Sequence, residues 1–265
     1  MIKSYKPHTT LQDVIKEYYF LAMDVEEAQQ EIPVVDDCCH DIIFFREENA
    51  RLQYGGPPQD VAITHAVFTI LGLTPPYKLI PEDHLTFFTI KVQPWMNRYF
   101  FGNVACTGIV NLAADFSELD AVAQALKNDT PIKQLLEIAD TCFKQRDLTF
   151  TPAMLFVKAI CEFVIAKQGI VKVKDLSLHF NRSRQYITKT FRQEVMCSVK
   201  TFSTSVRIVA LIKQKAKAEA LSLTQLTYDF GYFDQAHFIN DFKKVCGVTP
   251  GYYFAHLPEF IQRHQ

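Results

Sequence analysis

Gly231-Tyr232-Phe233-Asp234-Gln235-Ala236-His237-Phe238, running on through Ile239 to Phe242-Lys243-Lys244-Val245-Cys246-Gly247-Val248-Thr249-Pro250, is the stretch on which the reading of this chain turns. Gly231-Tyr232-Phe233 has the character of a tight turn, and the spacing that follows predicts a helix from Asp234 to about Val245. Phe238, Phe242 and Val245 form its inner face, which leaves Gln235, His237, Asn240, Lys243 and Lys244 outward. Gly247 and Pro250 end it, with Tyr252 and Tyr253 expected to pack across. Upstream, Leu223–Phe230 reads as a short helix, so the whole is helix, turn, helix.

The same arrangement stands earlier in the chain. Val173–Phe180 supplies a short helix, Asn181-Arg182 the turn, and Ser183 an N-cap for a helix from Arg184 through Val195. Ile187, Phe191 and Val195 point inward at helical spacing, leaving Arg184, Gln185, Thr188, Lys189 and Arg192 outward. Donor-rich side chains on the second helix of such a unit suit phosphate oxygens and base edges in a major groove. Each of them alone has a plainer reading as a solvated surface residue, His237 above all. As a set at matching places in two units, they argue for DNA.

The stretches Gly231–Phe238 and Phe242–Pro250 resemble the C-terminal signature of AraC/XylS-type transcription regulators. The resemblance extends back through Phe191-Arg192-Gln193-Glu194 and Ser183 to about Val171, covering the last third of the chain. It implies an all-α domain with two helix-turn-helix units joined by a rigid helix, the recognition helices lying in successive major-groove segments of double-stranded promoter DNA. By position it implies base-facing roles for Gln185, Thr188 and Lys189 and for Gln235, His237 and Asn240, with Ala236 against a thymine methyl. Arg184, Arg192, Lys243 and Lys244 are the side chains expected to neutralise phosphates. Met196 departs from the pattern by standing where Gly is usual. The linker Val206–Leu221 departs by carrying Lys213-Gln214-Lys215. Both bear on the angle between the units.

From Tyr18 to about Gln93 the pattern changes to short runs rich in β-branched and aromatic residues: Ile42–Phe45, Ala66–Leu71 and Leu85–Val92. Gly55-Gly56-Pro57-Pro58, Gly72, Pro75-Pro76 and Pro81 separate them, as turns between strands of a β-sandwich or barrel would. Pro7, Tyr18-Tyr19, the stretch Pro33–Phe44 and Gly102 resemble a cupin-like sensor domain found in an AraC subgroup. That implies a fold and a small-molecule effector of unidentified chemistry. It implies no ligand-contacting residue, because Val35-Asp36-Asp37-Cys38 replaces the usual Pro-Asp-Gly turn.

A short helix is expected around Trp95, Arg98 and Phe101, then helices opening near Ser117 and after Thr130-Pro131. The first buries Leu119, Val122, Ala123 and Leu126; the second buries Ile132, Leu135, Leu136, Ala139 and Phe143. Another runs from about Ala153 to Lys167 and stops at Gly169. The chain thus reads as an α+β multidomain protein: a β-rich sensor over 1–115, a helical linker or dimerisation segment over 116–150, and a DNA-binding domain over 151–258.

Charge divides along the same line. Residues 1–150 carry 12 Lys/Arg against 21 Asp/Glu, a net −9, and residues 151–265 a net +8, so only the second half is suited to face a polyanion. Seven cysteines without CxxC spacing read as reduced thiols, and no apolar run is long enough to span a membrane, which points to the cytoplasm. Asp36, Asp37, Cys38, Cys39, His40 and Asp41 include metal-binding types. Alternation along a strand would put Cys38 and His40 on one side and Cys39 on the other, so a turn into the Ile42–Phe45 strand is preferred to a metal site. His65, His84 and Trp95 could line a pocket or be scattered.

No GxSxG elbow, phosphate-cradling glycine loop or cupin HxH-plus-Glu pattern is present, and an enzyme is not expected; neither is a cofactor or metal. RNA polymerase and a second copy of the chain are further candidate partners. The rival readings are a cupin-type metalloenzyme tethered to DNA and an architectural protein that binds DNA without sequence preference.

Overall fold

The computed structural model describes residues 2–23, 31–47, 50–55, 57–73, 75–82, 84–104, 106–218 and 220–256. Gly56, in one expected turn, and residues 257 and 258, at the end of the expected DNA-binding span, lie outside them.

Two antiparallel sheets make the N-terminal domain. One contains β1 (Ile2–Tyr5), β2 (Ile15–Met23), β4 (Asp41–Phe45), β7 (Val67–Leu71), β9 (Leu85–Val92) and β10 (Gly108–Asn111), in the order β1-β2-β9-β4-β7-β10. The other is β3 (Ile32–Val34), β8 (Tyr77–Pro81), β5 (Ala50–Tyr54) and β6 (Gln59–Ile63), in that order. The three runs read as strands from sequence are β4, β7 and β9.

Strand β9 is buried at every residue, because both of its faces are covered. Leu85 and Phe87 join a core with Leu52, Ile63 and Leu79 of the second sheet, whereas Phe88, Ile90 and Val92 join a core with residues of the helices. An antiparallel strand usually leaves one face to water, and its polar positions here are absorbed instead. Lys91 faces Asp41 across the ladder and bonds both Asp41 (3.1 Å) and Asp37 (3.0 Å). Lys16 adds a second ion pair to Asp37 at 2.7 Å. Burial works against the charge of Lys91, but the two carboxylates outweigh it and hold its pKa well above the usual lysine range.

Helices follow: α1 (Asn97–Phe101), α2 (Asp120–Lys127), α3 (Ile132–Lys144), α4 (Pro152–Ala166), α5 (Val173–His179), α6 (Arg184–Val195), α7 (Val199–Lys217), α8 (Leu223–Asp229), α9 (Gln235–Cys246) and α10 (Pro250–His256). Polar N-caps start many of them. Thr151, Ser183, Ser198, Ser222 and Asp234 each accept from a backbone N–H in the first turn of the helix that follows. The joining helix begins at Val199, ahead of the expected Val206, because Ser198 caps it at Thr201 N (3.0 Å). It ends at Lys217, short of the expected Leu221. Among the described residues, no single helix is long and apolar enough to cross a membrane.

The two domains are bonded through Asn97, which is fully buried. Its Nδ2 donates to the carbonyls of Cys38 (3.1 Å) and Val195 (2.9 Å), and its Oδ1 accepts from His40 N (3.2 Å). Arg98 beside it pairs with the buried Glu194 at 3.0 Å. Asp36 N–H donates to Val245 O at 3.0 Å.

Replacing Asn97 by Ala strands two carbonyls and an N–H in the interior, at about 1–3 kcal/mol for each buried group left without a partner. N97A is expected to lower the urea midpoint of unfolding by an amount corresponding to several kcal/mol. A shift within the range of an exposed substitution would contradict the bridging role. Burial, assisted by Lys91, lowers the pKa of His40 to about 4. An unfolded histidine titrates near 6.5, so the unfolded chain takes up the proton first, and stability falls as pH drops from about 6.5 toward 4. His40→Gln is expected to flatten that slope in a pH series of denaturation curves.

Candidate nucleic-acid interface

Each C-terminal unit sets its second helix by the same devices. The turn between α5 and α6 passes through Asn181 in the left-handed region (φ 49°), and the turn between α8 and α9 through Gly231 (φ 70°). Ile187, Phe191 and Val195 are buried on α6, and Phe238, Phe242 and Val245 on α9, matching the inner faces read from sequence. Tyr253 is fully buried against Phe242, as expected of a residue packed across the helix end, whereas Tyr252 is 51 % exposed. A helix that starts at Pro250 carries the two tyrosines on different faces.

The outward residues are exposed in both units. On α6 these are Arg184, Gln185, Thr188, Lys189 and Arg192, and on α9 they are Gln235, Ala236, His237, Asn240, Lys243 and Lys244. Several already hold partners of their own. Thr188 donates back to Arg184 O (2.8 Å), and Gln235 Nε2 donates to Thr224 Oγ1 on α8 (2.6 Å). His237 Nε2 lies 3.3 Å from Asp241, with its ring edge-on to Tyr232, and Lys244 lies 3.7 Å from the same carboxylate. Gln235 and His237 are thereby held at the start of α9.

Arg207 of α7 ties the chain just past α4 to the turn of the second unit, a role with no periodic signature in the sequence. Its Nη2 donates to Gly169 O at 2.9 Å, at the end of α4, and its guanidinium stacks over Tyr232, 5.1 Å from the ring centroid. Gly169 has φ +74°, and an added Cβ would fall 2.2 Å from Ser203 O, so only glycine lets α4 end this close to α7.

Both recognition helices point their C-terminal ends at the strand-rich domain. Glu194 and Val195 of α6 meet Arg98 and Asn97, Val245 of α9 meets Asp36, and Gly247 lies against Pro76. Between the domains is a cavity of about 340 Å³, lined by Val34 to Asp41, Ile70, Tyr77 and Lys91 on one side and by Val195, Met196, Cys197 and Thr201 on the other. It shares Val34, Val35, Asp41, Ile43, Ile70 and Lys91 with a smaller apolar cavity of about 90 Å³ between the sheets. Cys38, Cys39 and His40 all line the larger one, so strand alternation does not separate them; they precede β4, and Cys38 has φ 57°. Among the described residues no group of three or more His, Cys, Asp or Glu is arranged to hold a metal ion. His65, His84 and Trp95 line neither cavity; Trp95 donates to Asp13 O at 2.7 Å.

Residues 176–256 match the family model described as a helix-turn-helix domain. That match covers both helix-turn-helix units from Leu176 onward. No curated protein matches the chain. Two similar solved structures are of ToxT from Vibrio cholerae. One, at 11% identity with a TM-score of 0.48, covers 89% of this chain and 97% of that one. The other, with an unsaturated fatty acid bound, is 14% identical with a TM-score of 0.49 and covers 96% of this chain and 98% of that one.

The helix-turn-helix domain ends its two recognition helices differently. Both C-caps are left-handed, Gly247 at φ 77° and Met196 at φ 65°. A side chain in that region costs roughly 1–2 kcal/mol. Met196→Gly is therefore expected to stabilise the protein by about 1 kcal/mol in urea denaturation, and Gly247→Ala to destabilise it by at least as much, since Pro76 Cβ lies 3.0 Å from the added atom. If both changes prove neutral, the caps are not strained.

Proposed function

We propose that the chain is a sequence-specific, double-stranded-DNA-binding transcription regulator that reads two successive major-groove segments with α6 and α9. The observation that carries this reading is the repeated unit. In both, a buried aromatic and aliphatic stripe fixes the second helix, and exposed polar residues occupy its other face, Gln, Lys and Arg on α6 and Gln, Asn and Lys on α9. Gln185, Thr188, Lys189, Gln235, Ala236, His237 and Asn240 are assigned to base edges, and Arg184, Arg192, Lys243 and Lys244 to phosphates. The net positive charge of residues 151–265 supports the assignment.

In this reading residues 1–115 sense, 116–150 connect or dimerise, and 151–258 bind DNA. The protein works in the cytoplasm on promoter DNA, as a regulator and not an enzyme, with RNA polymerase and a second copy as partners. The effector site is the cavity between the domains. A small amphipathic molecule there would touch apolar Val34, Ile43 and Ile70, the ions Asp37, Asp41 and Lys91, and the C-terminal end of α6 together. Such a ligand can bias the angle between domain and reading helix only by binding its alternatives unequally.

Selection of duplexes from a random pool by the full chain tests this directly. Two short enriched blocks about 10 bp apart are expected; recovery without enrichment would make the protein a non-specific DNA binder. On the selected duplex, Lys189→Ala or Asn240→Ala is expected to cost about 1–3 kcal/mol and relax preference at one or two base pairs. Lys243→Ala should weaken all sequences alike and reduce the salt slope by about one.

A further inference from the structure

The loop ahead of β4 brings a thiol of the strand-rich domain against a thiol of the helix-turn-helix domain. Cys38 and Cys197, the residue between the left-handed Met196 and the Ser198 cap of α7, meet at the same stretch of the domain interface. Cys38 Sγ also lies 3.4 Å from Ser205 Oγ on α7. The same Asn97 amide that holds Cys38 O holds Val195 O, so one side chain fixes the backbone beside both cysteines. Both sulfur-bearing residues line the interdomain cavity.

We propose that Cys38 and Cys197 form a reversible disulfide across the domain interface when the protein meets hydrogen peroxide.

Cys197 is the half-buried member of the pair and Cys38 the buried one, so the oxidant reaches Cys197 first. The Cys197 sulfur attacks a peroxide oxygen and the O–O bond breaks. The departing oxygen leaves as water with the thiol proton, and Cys197 carries a sulfenic acid. The Cys38 sulfur then attacks the Cys197 sulfur, the S–O bond breaks, and the hydroxyl departs as a second water with the Cys38 proton. Two electrons pass from the two thiols to the peroxide. The Cys197 thiol beside it and its burial push the Cys38 thiol up, which makes Cys38 the poorer first nucleophile.

Geometry favours this pair over the neighbouring thiols. A disulfide needs its sulfurs at about 2.05 Å and its Cα atoms within roughly 7 Å. Cys38 and Cys197 both sit in irregular backbone between elements, where the chain is not held by a helix or strand ladder. Cys161 is fully buried in the middle of α4, and Cys39 is turned toward Lys16 Nζ, 3.5 Å away. Closure would tie the end of the first recognition helix covalently to the sensor. That consequence rests on the regulator reading, whereas the bond itself does not.

The test uses the full chain with the exposed Cys106 changed to Ser, which removes linkage between copies through that thiol. The protein is treated with limiting hydrogen peroxide and alkylated in denaturant. The expected result is a mass loss of about 2 Da before alkylation, two fewer alkylated thiols, and a Cys38–Cys197 peptide pair in a non-reducing digest, all reversed by dithiothreitol. Cys38→Ser should stop at a dimedone-reactive sulfenic acid on Cys197, and Cys197→Ser should form neither product. A cross-link to Cys39 or Cys161 in its place, or a Cys38→Ser protein that still loses two thiols, would overturn the proposal. So would unmodified thiols at an oxidant dose that oxidises free cysteine.

Discussion

A single carboxamide governs how this protein is put together. Asn97 offers one oxygen and two N–H bonds, and the interior uses them to join three backbone groups, two in the loop ahead of β4 and one at the end of α6. Its burial is tolerable because the carbonyls and the N–H it meets are themselves short of partners. A longer amide would displace the backbones, and an apolar residue would leave them unmet. Helix α6 ends with carbonyls that its own turn cannot satisfy, and the strand-rich domain supplies the missing donor. Domain orientation is therefore set through a helix end, not merely through apolar contact.

Charge is handled differently inside and outside. Within the sheet, Lys16 and Lys91 are neutralised by Asp37 and Asp41, a balanced set that raises no long-range field. Outside, the chain keeps its surplus of acid in the first 150 residues and its surplus of base in the rest. Buried ions fix the loop that reaches toward α6 and α9; surface ions supply attraction to a polyanion and discourage the acidic half from lying on it.

Much of the helical domain was legible because its information is local. Phe238, Phe242 and Val245 repeat at helical spacing, and Ser183 is a cap recognisable from its neighbours alone. Strand β9 could be read from its β-branched and aromatic run, but its burial on both faces could not, since that depends on helices distant in sequence. Asn97, Glu194 and Arg207 carried no pattern, because their partners lie at Cys38 and Val195, Arg98, and Gly169. Alternation failed at Cys38 to His40 for a related reason: a left-handed residue ahead of the strand breaks the period on which the argument stood. Helix α7 began early because Ser198 looked like any other serine until its capped N–H was seen.

The unbroken course of α7 has a consequence for how such a protein can change over generations. One inserted residue would rotate everything beyond it by about 100° and advance it by roughly 1.5 Å, and the Arg207 bridge between Gly169 and Tyr232 would be torn from one anchor. Substitutions on α6 and α9 face no such penalty, since those side chains stand clear of the core. The vocabulary of each reading helix is thus free to drift, while the grammar that spaces them is inherited whole.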